Sequence, residues 1–323
     1  RALDYEATPL LHGEYELLRI ESQVVMPGGQ TIDSLLWTDR AGETLKTSMT
    51  ALGMDTYRTT KEVALEEATT ALFDLGFETI VKLARPLVRP HHTSEVRYRV
   101  RLKHADPAAV FVTGATQQIR SLDAHTAEVI VRALTVDDTR PPFEQGSKAP
   151  TEADRAPNDF VQSDDRQVQR LAHEATGDEQ DPTRIALALE RFVHERIEQK
   201  NFGQAFATAA EVAKSLEGDC TEHAVLLAAL ARARGIPARV AVGLVYIESQ
   251  QGFGYHMWNE LYLNGRWVPL DATLGRGRVG GAHLKLADSN LAEGGAVSSF
   301  LPVVNVIGQL EIEILQVAYA RSP

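Results

Sequence analysis

Only one cysteine, Cys220, occurs in the 323 residues. An internal disulfide is therefore impossible, and so is a structural metal site built from several thiolates. No apolar run has membrane length either. The longest, Ala224–Ala231, falls far short of the roughly 20 residues that a spanning helix needs. Excess positive charge is also absent. A formal net charge of −11 argues against a nucleic-acid surface and against adhesion to anionic membrane. With 44% apolar and 24% charged residues, the chain has an ordinary globular composition and is long enough for two domains. It begins at Arg1 rather than Met, which is compatible with a signal peptide or lipid anchor upstream. An exported location, whether periplasmic, cell-surface or secreted, is favoured over the cytoplasm.

What is present divides into three stretches. Residues 1–135 read as a β-rich N-terminal domain. Its turn signals are Pro27-Gly28-Gly29 and Asp39-Arg40-Ala41-Gly42, a short helix is possible around Glu62–Leu75, and Glu95–Leu102 alternates cleanly, as a sheet with one wet face does. No catalytic motif lies there. Residues 136–165, with four prolines and many acids, read as a linker. Residues 166–323 carry helical stripes (Val168, Leu171, Ala172, Ala175; then Ile185, Leu189, Phe192, Val193), the latter entered through Asp181-Pro182. A Thr208–Glu211 capping box follows. A helix opening at Cys220 stops at Gly235-Ile236-Pro237, and β patterns run from there to Tyr319.

The chemistry-bearing residues fall in this last stretch. A thiol in the first turn of a helix faces unpaired N–H groups and the positive end of the dipole, which favours the thiolate. Gly218 leaves room there for a substrate backbone, and Asp219 caps the helix. Downstream, Asn264-Gly265 predicts a two-residue hairpin turn that pairs Leu263 with Arg266. In that register Trp258 lies opposite Asp271, and His256 lies diagonal to Asp271 on the same face. Diagonal neighbours are roughly 7–8 Å apart at Cα, close enough for a carboxylate to meet an imidazole. Glu260 has the same parity and reads as a structural ion-pair partner. His223, one turn from Cys220, reads as packing. Gly275–Gly280 matches a dinucleotide fingerprint as a string but lacks the following helix, and His91-His92 lacks a ligand cluster, so both are set aside.

Gly218-Asp219-Cys220, Arg232–Arg239, His256–Glu260 and Asp271-Ala272-Thr273 together resemble the bacterial branch of the transglutaminase-like superfamily over about residues 165–290. The resemblance implies an α+β fold, with helices packed on an antiparallel sheet in a papain-like core. It implies Cys220 as nucleophile, His256 as base and then acid, and Asp271 as orienting carboxylate. Ala272 departs from the proline that usually follows the aspartate. Trp258 and Gly218 are expected at the substrate, and Gln204 is the candidate second oxyanion donor by papain-type analogy. The implied activity is thiol-dependent amide hydrolysis or acyl transfer on peptide or protein, as a cysteine protease or protein-glutamine acyltransferase, with no cofactor and no metal. The alternative is a catalytically silent module of the same fold that binds protein or glycan.

Overall fold

The computed structural model describes residues 1–11, 13–25, 31–49, 54–64, 80–138, 140–141, 143, 149–197, 207–292, 303, 306 and 308–319. Its contacts form two compact units, Arg1–Leu72 and Phe73–Pro323.

The first unit is an antiparallel meander of β1 (Ala2–Leu10), β2 (Gly13–Val25), β3 (Thr31–Thr38), β4 (Thr44–Met49) and β5 (Met54–Tyr57). Leu17 and Trp37 are buried, and the indole N–H of Trp37 donates to Glu6 Oε1 at 2.6 Å. A helical turn, α1 (Lys61–Ala64), follows; the rest of the helix expected to Leu75 lies outside the described residues.

The second unit opens with β6 (Val81–Lys82) and a 3-10 turn at Pro90–His92. Next come β7 (Thr93–Leu102), α2 (Pro107–Val110), β8 (Gln117–Asp123), β9 (Thr126–Arg132) and β10 (Leu134–Thr135). β7 pairs with β9 on one side and with β16 (Leu310–Tyr319) on the other, in the order β16-β7-β9-β8. Val96, Tyr98, Val100 and Leu102 face the core while Arg99 and Arg101 face water, as the alternation predicts. By contacts, then, these strands group with the residues after 72, although the pattern of the sequence joins them to residues 1–135. The strand that decides it, β16, lies some two hundred residues from β7, beyond the reach of any local pattern. The stretch expected as linker is also packed where it is described. Val161 is buried, and the Arg232 guanidinium donates to the Ala156 carbonyl at 2.9 Å.

Four helices follow: α3 (Arg166–Thr176), α4 (Pro182–Arg196), α5 (Ala209–Ser215) and α6 (Cys220–Ala233). Asp165, Asp181 and Thr208 cap the first three through side-chain oxygens, with a full capping box at Thr208/Glu211. Every residue of α6 from Glu222 to Arg232 is buried, which is how a helix that is apolar all round must sit. Val225, Leu226, Leu227 and Leu230 each contribute about 2 kcal/mol by leaving water. Helices α3, α4 and α5 pack on one side of α6, and β11 (Ala238–Ile247) and β12 (Gly252–Leu263) on another. The sheet runs β13-β12-β11-β15, with β13 at Arg266–Leu270 and β15 at His283–Ser289, and β6 also pairs with β12. β14 (Arg278–Val279) pairs with β10.

Candidate active site

The entry to α6 is built by two acids and a glycine. Asp219 accepts from the Thr221 N–H at 2.8 Å, and Glu222 reaches back to accept from the Asp219 N–H at 3.0 Å and the Ala207 N–H at 3.0 Å. This is a capping box, so the expected Asp219 cap is present and Glu222 completes it. Burial, and then the Asp219 carboxylate, push the Glu222 pKa up to about 7. Gly218 has φ +152°, and a Cβ there would lie 2.2 Å from Glu222 Cβ. The position a side chain at 218 would take is thus filled by Glu222. The His223 ring lies 2.5 Å from the Asp219 carbonyl and is packed, as expected.

Cys220, half-buried, stands at the first position of this helix. The helix is tied to the sheet by Asn259, a buried β12 residue whose amide donates to the Ala224 carbonyl at 2.8 Å. β12 and β13 pair from Leu263↔Arg266 to Asn259↔Leu270, the register that Asn264-Gly265 predicts. Asn264 (φ 51°) and Gly265 (φ 79°) both adopt the positive angles such a turn requires. Asp271 therefore follows the last ladder pair directly, and its Oδ2 receives His256 Nε2 at 2.8 Å. The Asp271 Oδ1 accepts from the Thr273 and Leu274 N–H groups at 3.0 and 3.3 Å, a turn that forms without proline at position 272.

The electrostatics follow from these contacts. Burial pulls the His256 pKa down, but the Asp271 carboxylate and the Cys220 side chain outweigh it and raise it to about 10. Burial pushes Asp271 the other way, yet His256 and His283 hold it well below the usual carboxylate range. Burial, and then Cys220, raise the Tyr255 phenol well above its ordinary value.

Three residues join the site without having been expected. His283, on β15, places Nε2 3.0 Å from the same Asp271 Oδ2. Glu190, on α4, accepts from the Asp271 N–H at 3.3 Å and the Gly277 N–H at 3.2 Å; burial lifts its pKa to about 7. His91, set aside from the sequence, has its ring centroid 6.1 Å from that of His283, and burial, His283 and Arg276 lower its pKa to about 4. Glu190 was detectable, since an acid at an i, i+4 step from Ala186 and an i, i+3 step to Val193 interrupts an apolar stripe. Nothing local marks His283 or His91.

Trp258 is 3% exposed, with its ring stacked at 6.2 Å on His256 and edge-on at 5.2 Å to His283, so it backs the imidazoles. Gln204 lies outside the described residues. Glu260 is an ion-pair partner as expected, 2.7 Å from both Arg239 and Lys285. The Gly275–Gly280 segment is a turn and short strand, tied by the Gly277 N–H to Glu190, and no helix follows it as a nucleotide loop requires. Ligand atoms of His256, Asp271 and His283 lie within 4.8 Å of one another, close enough to hold a metal ion, although hydrogen bonds among them already account for the arrangement. Among the described residues, no helix is long and apolar enough to cross a membrane.

Residues 169–272 match the family model of the transglutaminase-like superfamily, and the mixed helices and antiparallel sheet of that stretch agree with the match. Among solved structures, it is similar to a candidate cysteine protease from Cytophaga hutchinsonii, at 17% identity and a TM-score of 0.44 over 71% of this chain and 89% of that one. It is also similar to the periplasmic domain of TgpA from Pseudomonas aeruginosa, at 17% identity and a TM-score of 0.34 over 58% and 90% of the two chains. A candidate protease from Parabacteroides distasonis follows, at 11% identity and 0.28 over 62% and 48%. Likeness at these levels says nothing about activity. No curated protein matches.

Proposed function

We propose that this protein is a thiol-dependent hydrolase or acyl transferase acting on amide bonds of peptides or proteins. One observation supports it above the rest: a single buried ring, His256, meets Asp271 at 2.8 Å through Nε2 and is acted on by the Cys220 side chain as well. In this reading Cys220 is the nucleophile, His256 the proton carrier and Asp271 the carboxylate that orients it.

With a pKa near 10, the His256 ring is an imidazolium at neutral pH, and in this reading the Cys220 sulfur reacts as its thiolate. The thiolate attacks the amide carbonyl, and the Cys220 backbone N–H, free at the first turn of α6, faces the developing oxyanion. Gln204 is proposed as the second donor. His256 gives its proton to the leaving amine, which departs as the thioester forms. The thioester is neutral, so the Cys220 charge that supported the imidazolium is gone. The ring is then a base able to take a proton from water or an acceptor amine. Hydrolysis is preferred to cross-linking, because among the described residues none is seen to keep water from the thioester. Export is proposed as the setting, and fractionation of cells making the protein tests it.

The deciding experiment incubates native protein and Cys220→Ala with a peptide library and an amine donor, read by mass spectrometry. Cleavage, or loss of ammonia at glutamine–lysine pairs, is expected from the native protein alone. Identical products from both proteins, or none from either, would favour the silent binding module.

A further inference from the structure

We infer that His283 is a positioning residue of this site: its Nε2–H shares Asp271 Oδ2 with His256 and holds the carboxylate in the orientation that serves the His256 ring. The inference rests on the reading of Cys220, His256 and Asp271 as the reacting set.

The geometry fills the carboxylate. Oδ2 lies 2.8 Å from His256 Nε2 and 3.0 Å from His283 Nε2, while Oδ1 takes the N–H groups of Thr273 and Leu274 at 3.0 and 3.3 Å. An ionised carboxylate offers about four acceptor positions, so this one is saturated and cannot rotate without breaking bonds on both oxygens. The fold makes a deliberate approach to bring His283 there. On β11, Gly243 pairs with His256 on one side, and the β15 register shifts between Val242 and Gly243 on the other. A Cβ at Gly243 would lie 2.0 Å from the Leu284 carbonyl oxygen. Without it β15 comes in, and the His283 centroid reaches 5.9 Å from that of His256.

The two rings differ in what their other nitrogen meets. His256 donates from Nε2 and so leaves Nδ1 for Cys220. The Nδ1 of His283 is buried with no hydrogen-bond partner. A second proton there would be an unpaired charge under Trp258, beside the His256 cation and His91. His283 is therefore held neutral, as an Nε2–H tautomer. Asp271 is the anion it faces, and Glu190 and Arg276 are further charged groups around this carboxylate and His91 among the described residues. A neutral donor anchors Asp271 without adding a second positive charge beside His256.

Alkylation of Cys220 by iodoacetamide, followed from about pH 5 to 9, tests this without any substrate. His283→Leu removes the donor, His283→Gln restores one at the Nε2 position, and His283→Asn sets it too far back. Alkylation near neutral pH is expected to slow about tenfold in the Leu and Asn variants and to return, with the native pH profile, in His283→Gln. Native behaviour in Leu and Asn would overturn the inference. Equal loss in all three would overturn it too, because a mere packing role predicts that result. Should His283→Leu fail to fold by circular dichroism, the Asn and Gln pair decides. Nitrogen-15 spectra of the native histidines are expected to show His283 as a neutral Nε2–H tautomer throughout this range, and a titrating ring would contradict it. A native Cys220 no faster than a free thiol sinks the catalytic reading and this inference together. An activated Cys220 indifferent to position 283 sinks this inference alone.

Discussion

Two buried carboxyls a few ångströms apart respond to burial in opposite ways, and the reason lies in what each accepts. Asp271 receives two imidazoles and stays ionised, while Glu190 receives only backbone N–H groups and lies near that negative charge, so burial wins. Because the folded pKa of Glu190, about 7, stands above its ordinary 4.5, its contribution to stability is complete below about pH 4.5 and is lost as pH rises through 7. Glu190→Gln keeps the carbonyl acceptor for Asp271 and Gly277 and removes the titration. Urea denaturation at a series of pH values should show the variant losing up to about 3 kcal/mol less than native protein between pH 4.5 and 8. Glu222 titrates in the same window in both proteins, so the difference isolates Glu190. Parallel profiles would show that Glu190 is ionised throughout.

The decisive element is α6, whose start is set by the Asp219–Glu222 box and whose end is set by Gly235. Both flanking glycines have positive φ, but only Gly218 is crowded: nothing lies within 4 Å of a Cβ built at Gly235. Gly235→Ala should therefore cost about 1 kcal/mol, from conformation alone. Gly218→Ala adds a clash with Glu222, and about 2 kcal/mol or more is expected, together with slower Cys220 alkylation as the first turn shifts. Denaturation of the two variants side by side checks the ranking, and equal losses would refute the clash. This element was largely legible in advance. Asp219, the apolar run to Ala231 and Gly235-Ile236-Pro237 act through neighbours in the chain, and the Asn264-Gly265 turn sets the His256–Asp271 register in the same local way. The crowding at Gly218 was not legible, because it comes from a side chain four residues on, folded back over it.

At the scale of the molecule, contacts divide the chain near residue 72, whereas the sequence pattern puts a boundary at 135. Strands β7, β8 and β9 look like part of an N-terminal β domain, yet β7 takes β16 as its neighbour and the Tyr98 hydroxyl donates to the Gly281 carbonyl at 2.6 Å. Gln117 likewise bonds the backbone of Lys285 through both its amide atoms. We therefore expect a chain starting at residue 73 to keep its circular dichroism spectrum and Cys220 reactivity. A chain starting at residue 136 would leave Leu310, Ile312 and Ile314 uncovered and should be insoluble or unfolded. Expression of both truncations separates the two boundaries, and a well-folded product from residue 136 would favour the one at 135.

The amino-acid order by itself determined the pieces that depend on near neighbours: a capped helix carrying the thiol, a hairpin whose turn sets which side chains share a face, and thus a histidine beside an aspartate. Only the tertiary structure decided what else gathers around that pair. His283 arrives across β11 where Gly243 lets the backbones close, Glu190 arrives from a helix eighty residues upstream, and His91 arrives from a turn further still. Burial and through-space charge act between atoms that packing brings together, and separation along the chain carries no trace of them.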